Sequence, residues 1–508
     1  MLTYAYGKKL VLFSDNCSYG LLIQFQFAAN SHFYILVLIS QKILVNKLLL
    51  PFIFLSALHL NAQNIKGPFD NAVKKFTLDT SFKHATIGLL VVNNATGKTI
   101  MSLNAETSMA PASCQKIITA SSSYELLGHN YTFKTALGYT GKIENGVLMG
   151  DIIINGSGDP TLGSWRYNAT REDSIITEFK QAIYREGINE ISGHVYANES
   201  IWQGEIIPGG WIWEDVGNYY GAGAEAINWR ENQYDLFLKS GKNMGDSVQY
   251  QYTNPPFVEG FDLKVLATSA RKGTGDQTVI YIPLFGETSY LRGTIPVDEN
   301  DFSVSGSMPH PGKQLALSLE SAIKKIPVDS LVSGYPKYGA DLPSIHSFYT
   351  RQSPVLDSLI FWFLKKSINL YGEALIKTIA FEQTKHGETD SGIGIIKNFW
   401  SKKGIEPSAM NIIDGSGLSP ANRVTPSTLV SILQYAKKQE WYPSFYKALP
   451  EINGIKMKSG SIGGVVSYAG YVTNSKGINY TFAFIINNFE GDANEVRKKM
   501  WKLLDLLK

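Results

Sequence analysis

Met109-Ala-Pro-Ala-Ser113-Cys-Gln-Lys116-Ile-Ile-Thr-Ala120 is the stretch from which the rest of this chain is read. Met109 to Ala112 ends an extended segment, and Ile117 onward has the composition of a helix. Ser113 then falls at the helix start, where serine is a favoured cap. Lys116 follows at i+3 and shares a face with it. The positive end of the helix dipole favours an oxyanion nearby. A lysine shut away from water gives up its proton, because burial disfavours the charged form. Such an amine can activate a hydroxyl that is otherwise a poor nucleophile. The pattern alone is commonplace. Ser269-Ala-Arg-Lys272 and Ser321-Ala-Ile-Lys324 fit it too, but in charged stretches without a Pro-Ala lead-in. For them, a capping serine and an exposed lysine suffice.

Two further motifs follow in order. Ser367-Ile-Asn369 interrupts two apolar patterns, a helix over 353–364 and another over 372–380. A polar break between apolar helices can aim side chains into a cleft, although such residues also simply cap a helix junction. Ser14-Asp-Asn16 and Ser102-Leu-Asn104 share the spacing without that context. Lys458-Ser-Gly460 lies in a strand expected over 455–461. Strands over 465–472 and 480–486 follow it, joined by turn formers at 473–477, and an amphipathic helix closes the chain over 497–507. Gly460 would keep the edge strand bare, so that a substrate backbone could approach. Lys239-Ser-Gly241 matches the pattern but precedes a polar turn.

With these motifs in this order the chain resembles the D-alanyl-D-alanine carboxypeptidase/endopeptidases, the low-molecular-mass class C penicillin-binding proteins. The resemblance runs from Phe69 to the C-terminus. It includes Met109-Ala-Pro-Ala-Ser113, Gly156-Ser-Gly-Asp-Pro160, Pro208-Gly-Gly-Trp-Ile-Trp-Glu-Asp215, Lys365-Lys-Ser-Ile-Asn369 and Asp414-Gly-Ser-Gly-Leu-Ser419. It implies an α+β fold: a penicillin-recognising serine transferase domain, β-lactamase/transpeptidase-like, with an antiparallel sheet flanked by helices. Ser113 would be the nucleophile and Lys116 its base. Ser367 and Lys458 would relay the proton to the leaving amine, and Asn369 would hold the substrate amide. The substrate would lie along Ser459, Gly460 and Ser461, with the N–H groups of Ser113 and Ser461 as an oxyanion hole. Each such donor is typically worth ~3–4 kcal/mol to the transition state. Asp215 would contact the substrate's side chain.

The chain departs from the family pattern at three places. Lys-Ser-Gly replaces the commoner Lys-Thr-Gly and keeps the hydroxyl. Pro420 stands where relatives can carry an arginine for a substrate carboxylate, with Arg423 three residues on as a substitute. The stretch 449–457 is short for the family, so a missing rim loop would open the cleft to larger substrates.

Composition fits this reading. A chain of 508 residues suggests two to four domains. A net charge of +3 without a basic stripe implies no nucleic-acid partner. Of the two cysteines, Cys17 and Cys114, only Cys114 lies in the family-like part, so no internal disulfide is expected there. No histidine stands near Cys114 in a motif for a catalytic thiol. The eight histidines show no zinc-ligand spacing, and no metal or organic cofactor is implied.

Lys47 and the apolar run to Leu58, with Ala62 beyond, read as a secretory signal over 45–62. Residues 1–44 then lie upstream of a complete signal, as if translation began near Val45. A membrane anchor including the apolar stretch 33–45 is the alternative, and peripheral membrane association would follow. The roughly 250 residues between the first two motifs are too many for a bare loop. Short strands alternating with turns mark β-rich domains inserted at 131–305, between catalytic parts at 63–130 and 306–508.

The expected protein is an exported, periplasmic serine DD-peptidase acting on peptidoglycan stem peptides or D-Ala crosslinks and acylated by β-lactams. A serine β-lactamase or esterase of the same fold, and a catalytically silent cell-wall-binding protein, are the alternatives. Fast β-lactam turnover would favour the former; the intact Ser/Lys/Ser/Asn/Lys set speaks against the latter.

Overall fold

The computed structural model describes residues 66–202, 204–283, 287–331 and 344–508, together with the backbone of four strands in the first 65 residues. The chain divides into two compact units, Met1–Ile65 and Lys66–Lys508. In the first, Leu2–Tyr4, Lys8–Asp15, Ser18–Phe27 and Ser31–Ser40 form an antiparallel meander. The signal expected at 45–62 lies outside the described residues. Among the described residues, no helix is long and apolar enough to cross a membrane.

The second unit is built on a six-stranded antiparallel sheet that joins the early and late parts of that unit. Its order is Glu451–Ile452, Ile455–Ile462, Val465–Thr473, Asn479–Asn487, Thr86–Asn93, Thr99–Leu103. The Asn453-Gly454 turn closes the first pair tightly, both residues having positive φ, as a two-residue hairpin of this kind requires. That hairpin is all the short stretch before Lys458 forms. The Val465–Thr473 and Asn479–Asn487 strands are buried almost throughout because helices cover the sheet. Ala493–Leu504 packs on the Val465–Thr473 strand with Lys66–Thr77 beside it, and Pro426–Ala436 packs on Asn479–Asn487. Asn369–Thr384 runs through the middle of the helical layer. Its residues from Asn369 to Ala380 are all buried, the polar Asn369, Glu373, Lys377 and Thr378 among them.

The inserted segment has its own core, centred on Ile152, Phe179, Trp229, Leu236 and Leu291. It holds a four-stranded sheet, Val195–Asn198, Ile152–Asn155, Lys134–Tyr139, His346–Gln352, and a three-stranded one, Gln249–Asn254, Gln233–Lys239, Phe302–Ser307. A third, mixed sheet is built around Ser289–Pro296. The boundary expected at 305/306 cuts through this core. Phe302–Ser307 is one strand, paired along Gln233–Lys239. Pro311–Lys324 contributes Leu315, Leu319 and Ile323 to the insert's core, and His346–Gln352 pairs with Lys134–Tyr139. The chain leaves and re-enters the catalytic part at adjacent points. Ser353 N–H donates to the Phe133 carbonyl (3.0 Å) and Leu356 N–H to that of Tyr131 (2.8 Å). The β-rich description needs one amendment, since Glu172–Arg185 and Pro311–Lys324 are full helices of this part.

Candidate active site

Ser113 sits in a single 3₁₀ turn, Ala112–Gln115, that leads into the helix Lys116–Leu127. The expected cap is absent. Ala112 has φ +45° and no side chain caps either helix start, so the turn tips the Ser113 hydroxyl toward Lys116 instead. Lys116 is fully buried, and its Nζ lies 3.0 Å from Ser113 Oγ, 2.6 Å from Asn369 Oδ1 and 2.7 Å from the Ser416 carbonyl. Burial drives its pKa well below 10.5, and the nearby Lys458 cation adds to this. A neutral amine has two N–H donors and one lone pair. Asn369 Oδ1 and the Ser416 carbonyl oxygen can only accept, so in the neutral amine they take the two donors and leave the lone pair for the Ser113 O–H. That is the geometry of a base poised on a nucleophile.

Ser367 ends the helix Leu356–Lys366 in the left-handed conformation, φ +58°, and Asn369 opens the next. The second helix therefore starts at Asn369, three residues before the expected Gly372. Ser113, Ser367 and Asn369 line one cleft of about 510 Å³ with Asp215, Tyr220 and Ser461. Asn369 Nδ2 donates to the Tyr220 carbonyl at 2.7 Å while its Oδ1 accepts from Lys116. Its amide thus ties the base to the inserted segment. Asp215 belongs to the short helix Trp213–Val216 on the same segment, and burial raises its carboxyl pKa.

Lys458 is buried, donates to the Ser459 carbonyl at 2.6 Å, and has its pKa drawn down to about 8 by desolvation. Of its strand, Ser461 and Ile462 reach the cleft, followed by Gly463; Ser459 and Gly460 are not among the lining residues. Gly460 has a different reason from the one expected. A Cβ there would stand 2.7 Å from the Pro111 carbonyl oxygen and 2.8 Å from Ser113 N, and closer still to Ser467 Oγ. The missing side chain makes room for the Ser113 turn. Ser461 Oγ accepts from Arg497 Nη2 at 2.8 Å. Cys114 is buried, donates to the Lys458 carbonyl, and has its pKa pushed up to about 11, which makes it a packing residue. Arg423 does not take the place expected for it. It is not among the lining residues, and its guanidinium donates to the Pro420 and Asn422 carbonyls.

Two residues without an expected role hold the site together. Asp414 is fully buried and accepts from Gln115 Nε2, Trp211 Nε1, Asn422 Nδ2 and the N–H groups of Gly417 and Ser419, at 2.7–3.0 Å. It winds the 414–419 loop around itself and so aims the Ser416 carbonyl at Lys116. Glu373, one helical turn beyond Asn369, accepts from Gly415 N–H at 2.8 Å. Burial and the neighbouring Asp414 push its pKa up to about 8. The signal for Asp414 was present in its sequence context. An aspartate followed by small residues can fold a loop on its own side chain.

A family model, D-Ala-D-Ala carboxypeptidase 3 (S13) family, matches residues 69–507. The chain belongs to this family. It is 26% identical over 453 residues to the D-alanyl-D-alanine carboxypeptidase DacB of Haemophilus influenzae, covering 82% of this chain and 88% of that protein. It is 25% identical over 458 residues to the D-alanyl-D-alanine carboxypeptidase of Actinomadura sp. strain R39, covering 82% and 80%. The crystal structure of penicillin binding protein 4 (dacB) from Haemophilus influenzae superposes with a TM-score of 0.68 at 23% identity, over 85% of this chain and 97% of that one. The α+β, penicillin-binding-protein fold expected from the motifs is therefore the fold of this chain.

Proposed function

We propose that this S13 family member is an exported DD-peptidase of the bacterial cell envelope that works through an acyl-enzyme on Ser113. The reading rests on one observation: Lys116 is buried, its pKa is lowered by that burial, and its Nζ touches Ser113 Oγ, Asn369 Oδ1 and the Ser416 carbonyl. Lys116 takes the hydroxyl proton as Oγ attacks the carbonyl of the penultimate D-Ala of a stem peptide or crosslink. The N–H groups of Ser113 and Ser461 receive the oxyanion. Ser367 and Lys458 pass a proton to the leaving amine. Water then releases the acyl group with Lys116 again as base. Asp215 and Tyr220, which line the same cleft, would contact the substrate's side chain. β-Lactams acylate the same serine, in keeping with the β-lactam complex solved for the Haemophilus protein.

The test is incubation of the protein with a penicillin, followed by mass spectrometry of its peptides. The expected result is a stable adduct on Ser113 that disappears in Ser113→Ala and Lys116→Ala. Rapid drug loss without an adduct would instead indicate a β-lactamase. Neither adduct nor drug loss would indicate a silent binding protein.

A further inference from the structure

A second cavity, about 790 Å³, lies in the inserted segment, and none of its lining residues belongs to the catalytic cleft. Its volume falls in the ~300–1,000 Å³ range of small-molecule sites. Trp165, 45% exposed, stands on its wall. Gln233, Asp235 and Asn254 also line it, and all three belong to the three-stranded sheet. Strand alternation places Phe237 on the same face as Asp235, and Tyr252 on the same face as Asn254. The register puts Asp235 opposite both Asn254 and Ser305, and Phe237 opposite both Tyr252 and Ser303. Phe237 and Tyr252 stack at 4.5 Å with their planes 13° apart, and Tyr252 remains 47% exposed. The other face of the sheet carries Tyr234, Leu236 and Val304 into the core.

A polar outer face is ordinary for a half-buried sheet. An exposed aromatic stack that continues through amides and hydroxyls into a tryptophan-walled cavity is not. Charges of both signs line the cavity, Arg171 and Arg230 together with Glu172, Asp173 and Asp235, and Arg230 pairs with Glu172. The lining therefore selects neither a strong anion nor a strong cation. It offers flat apolar surfaces separated by groups that donate and accept, the complement of a pyranose chain with hydroxyl and acetamido substituents. Backbone strain starts on the wall at Arg230 and runs on into the buried chain behind it. Arg230, Glu231 and Asn232 are left-handed in succession, a conformation disfavoured for residues with a Cβ. Such strain concentrates at ligand sites.

We propose that this strip, from Tyr252 to Trp165, binds the glycan strand of the cell wall, an uncharged β-1,4-linked amino-sugar chain, while the peptide is handled in the Ser113 cleft. The proposal rests on the peptidase reading for its choice of polymer, but its test does not use peptidase activity. The full protein is titrated with a β-1,4-linked N-acetylglucosamine hexasaccharide, followed by tryptophan fluorescence and calorimetry. Saturable binding with Kd of about 1 mM or tighter is expected. It should weaken at least about tenfold in Trp165→Ala and, separately, in the surface variant Tyr252→Ala, and remain unchanged in Ser113→Ala. Penicillin acylation of Ser113 should be unchanged in both groove variants. No saturable binding by folded protein overturns the proposal. So does binding indifferent to both groove substitutions, or binding abolished by prior acylation with penicillin, which would place the sugar in the catalytic cleft. Failure of penicillin to acylate the native protein would overturn the peptidase reading and leave the groove standing.

Discussion

Gly460→Ala separates two explanations of the Lys-Ser-Gly motif. If the glycine clears a path for substrate, a methyl group there weakens substrate binding. If it admits the Ser113 turn, the methyl displaces the nucleophile. The structure favours the second. The added Cβ would lie about 0.6–0.7 Å inside ordinary contact with Ser113 N and the Pro111 carbonyl oxygen. Ser467 Oγ is closer still and cannot simply rotate away, because it donates to that same carbonyl at 2.6 Å. Overpacking of this kind costs typically ~1–3 kcal/mol. A misplacement approaching 1 Å can cost on the order of 10²-fold in rate. The expected outcome is a fall of roughly 10–100-fold in the second-order rate of acylation by a fluorescent penicillin, with Tm lower by a few degrees. Gly394→Ala is the control, since nothing lies within 4 Å of its Cβ position, and it should acylate as the wild type does. Acylation of Gly460→Ala within twofold of wild type at unchanged Tm, with only the KM for a peptide substrate raised, would refute the packing argument.

Three other outcomes follow from the same geometry. Acylation should rise with pH through the lowered pKa of Lys116, far under the ordinary 10.5, and fall above about 8 as Lys458 loses its proton; a rate still climbing at pH 10 would mean that Lys116 is not held neutral. Glu373 is favoured in its protonated form by the fold, so its contribution to stability, present below 4.5, is lost as pH rises through about 8. Glu373→Gln should therefore gain Tm relative to wild type between pH 5 and pH 9, and an equal Tm difference at both pH values would contradict this. Asp414→Ala leaves the buried N–H groups of Gly417 and Ser419 without their acceptor, at ~1–3 kcal/mol for each orphan, while Gln115 Nε2 and Asn422 Nδ2 keep backbone carbonyl partners. Urea unfolding should show a loss of at least about 2 kcal/mol, and a loss under about 1 kcal/mol would mean that the loop holds itself.

What the sequence made legible was local. Ser113 and Lys116 are three residues apart, and helical spacing alone brings them together. The strand around Lys458 and the two that follow are consecutive hairpins, so alternation and turn residues disclose them. The expected cap at Ser113 failed on a single torsion, the positive φ of Ala112, which no propensity encodes. The boundary at 305/306 failed because pairing between distant strands leaves no local mark. Phe302–Ser307 looks like any short strand until Gln233–Lys239 is beside it. The partners of Asp414 and Glu373 were hidden for a related reason. Each acid acts by accepting from backbone N–H groups, and the sequence does not say where those point.

Where the acids sit explains how the site can work. Two carboxyl groups lie near Lys116, and either would hold it as an ammonium if it touched Nζ, since an opposite charge at contact favours the charged form. Neither is a hydrogen-bond partner of Nζ. Asp414 is occupied by five donors and Glu373 by Gly415 N–H. Both act on the backbone that carries Ser416. The groups that do bond Nζ, besides Ser113 itself, are a side-chain amide and a peptide carbonyl, strong acceptors without charge. Neutral acceptors can orient an amine without fixing its proton. An Asn at 369 therefore suits a base that must both take and return a proton, and the inserted segment, through the Tyr220 carbonyl on Asn369 Nδ2, sets the orientation of that amide.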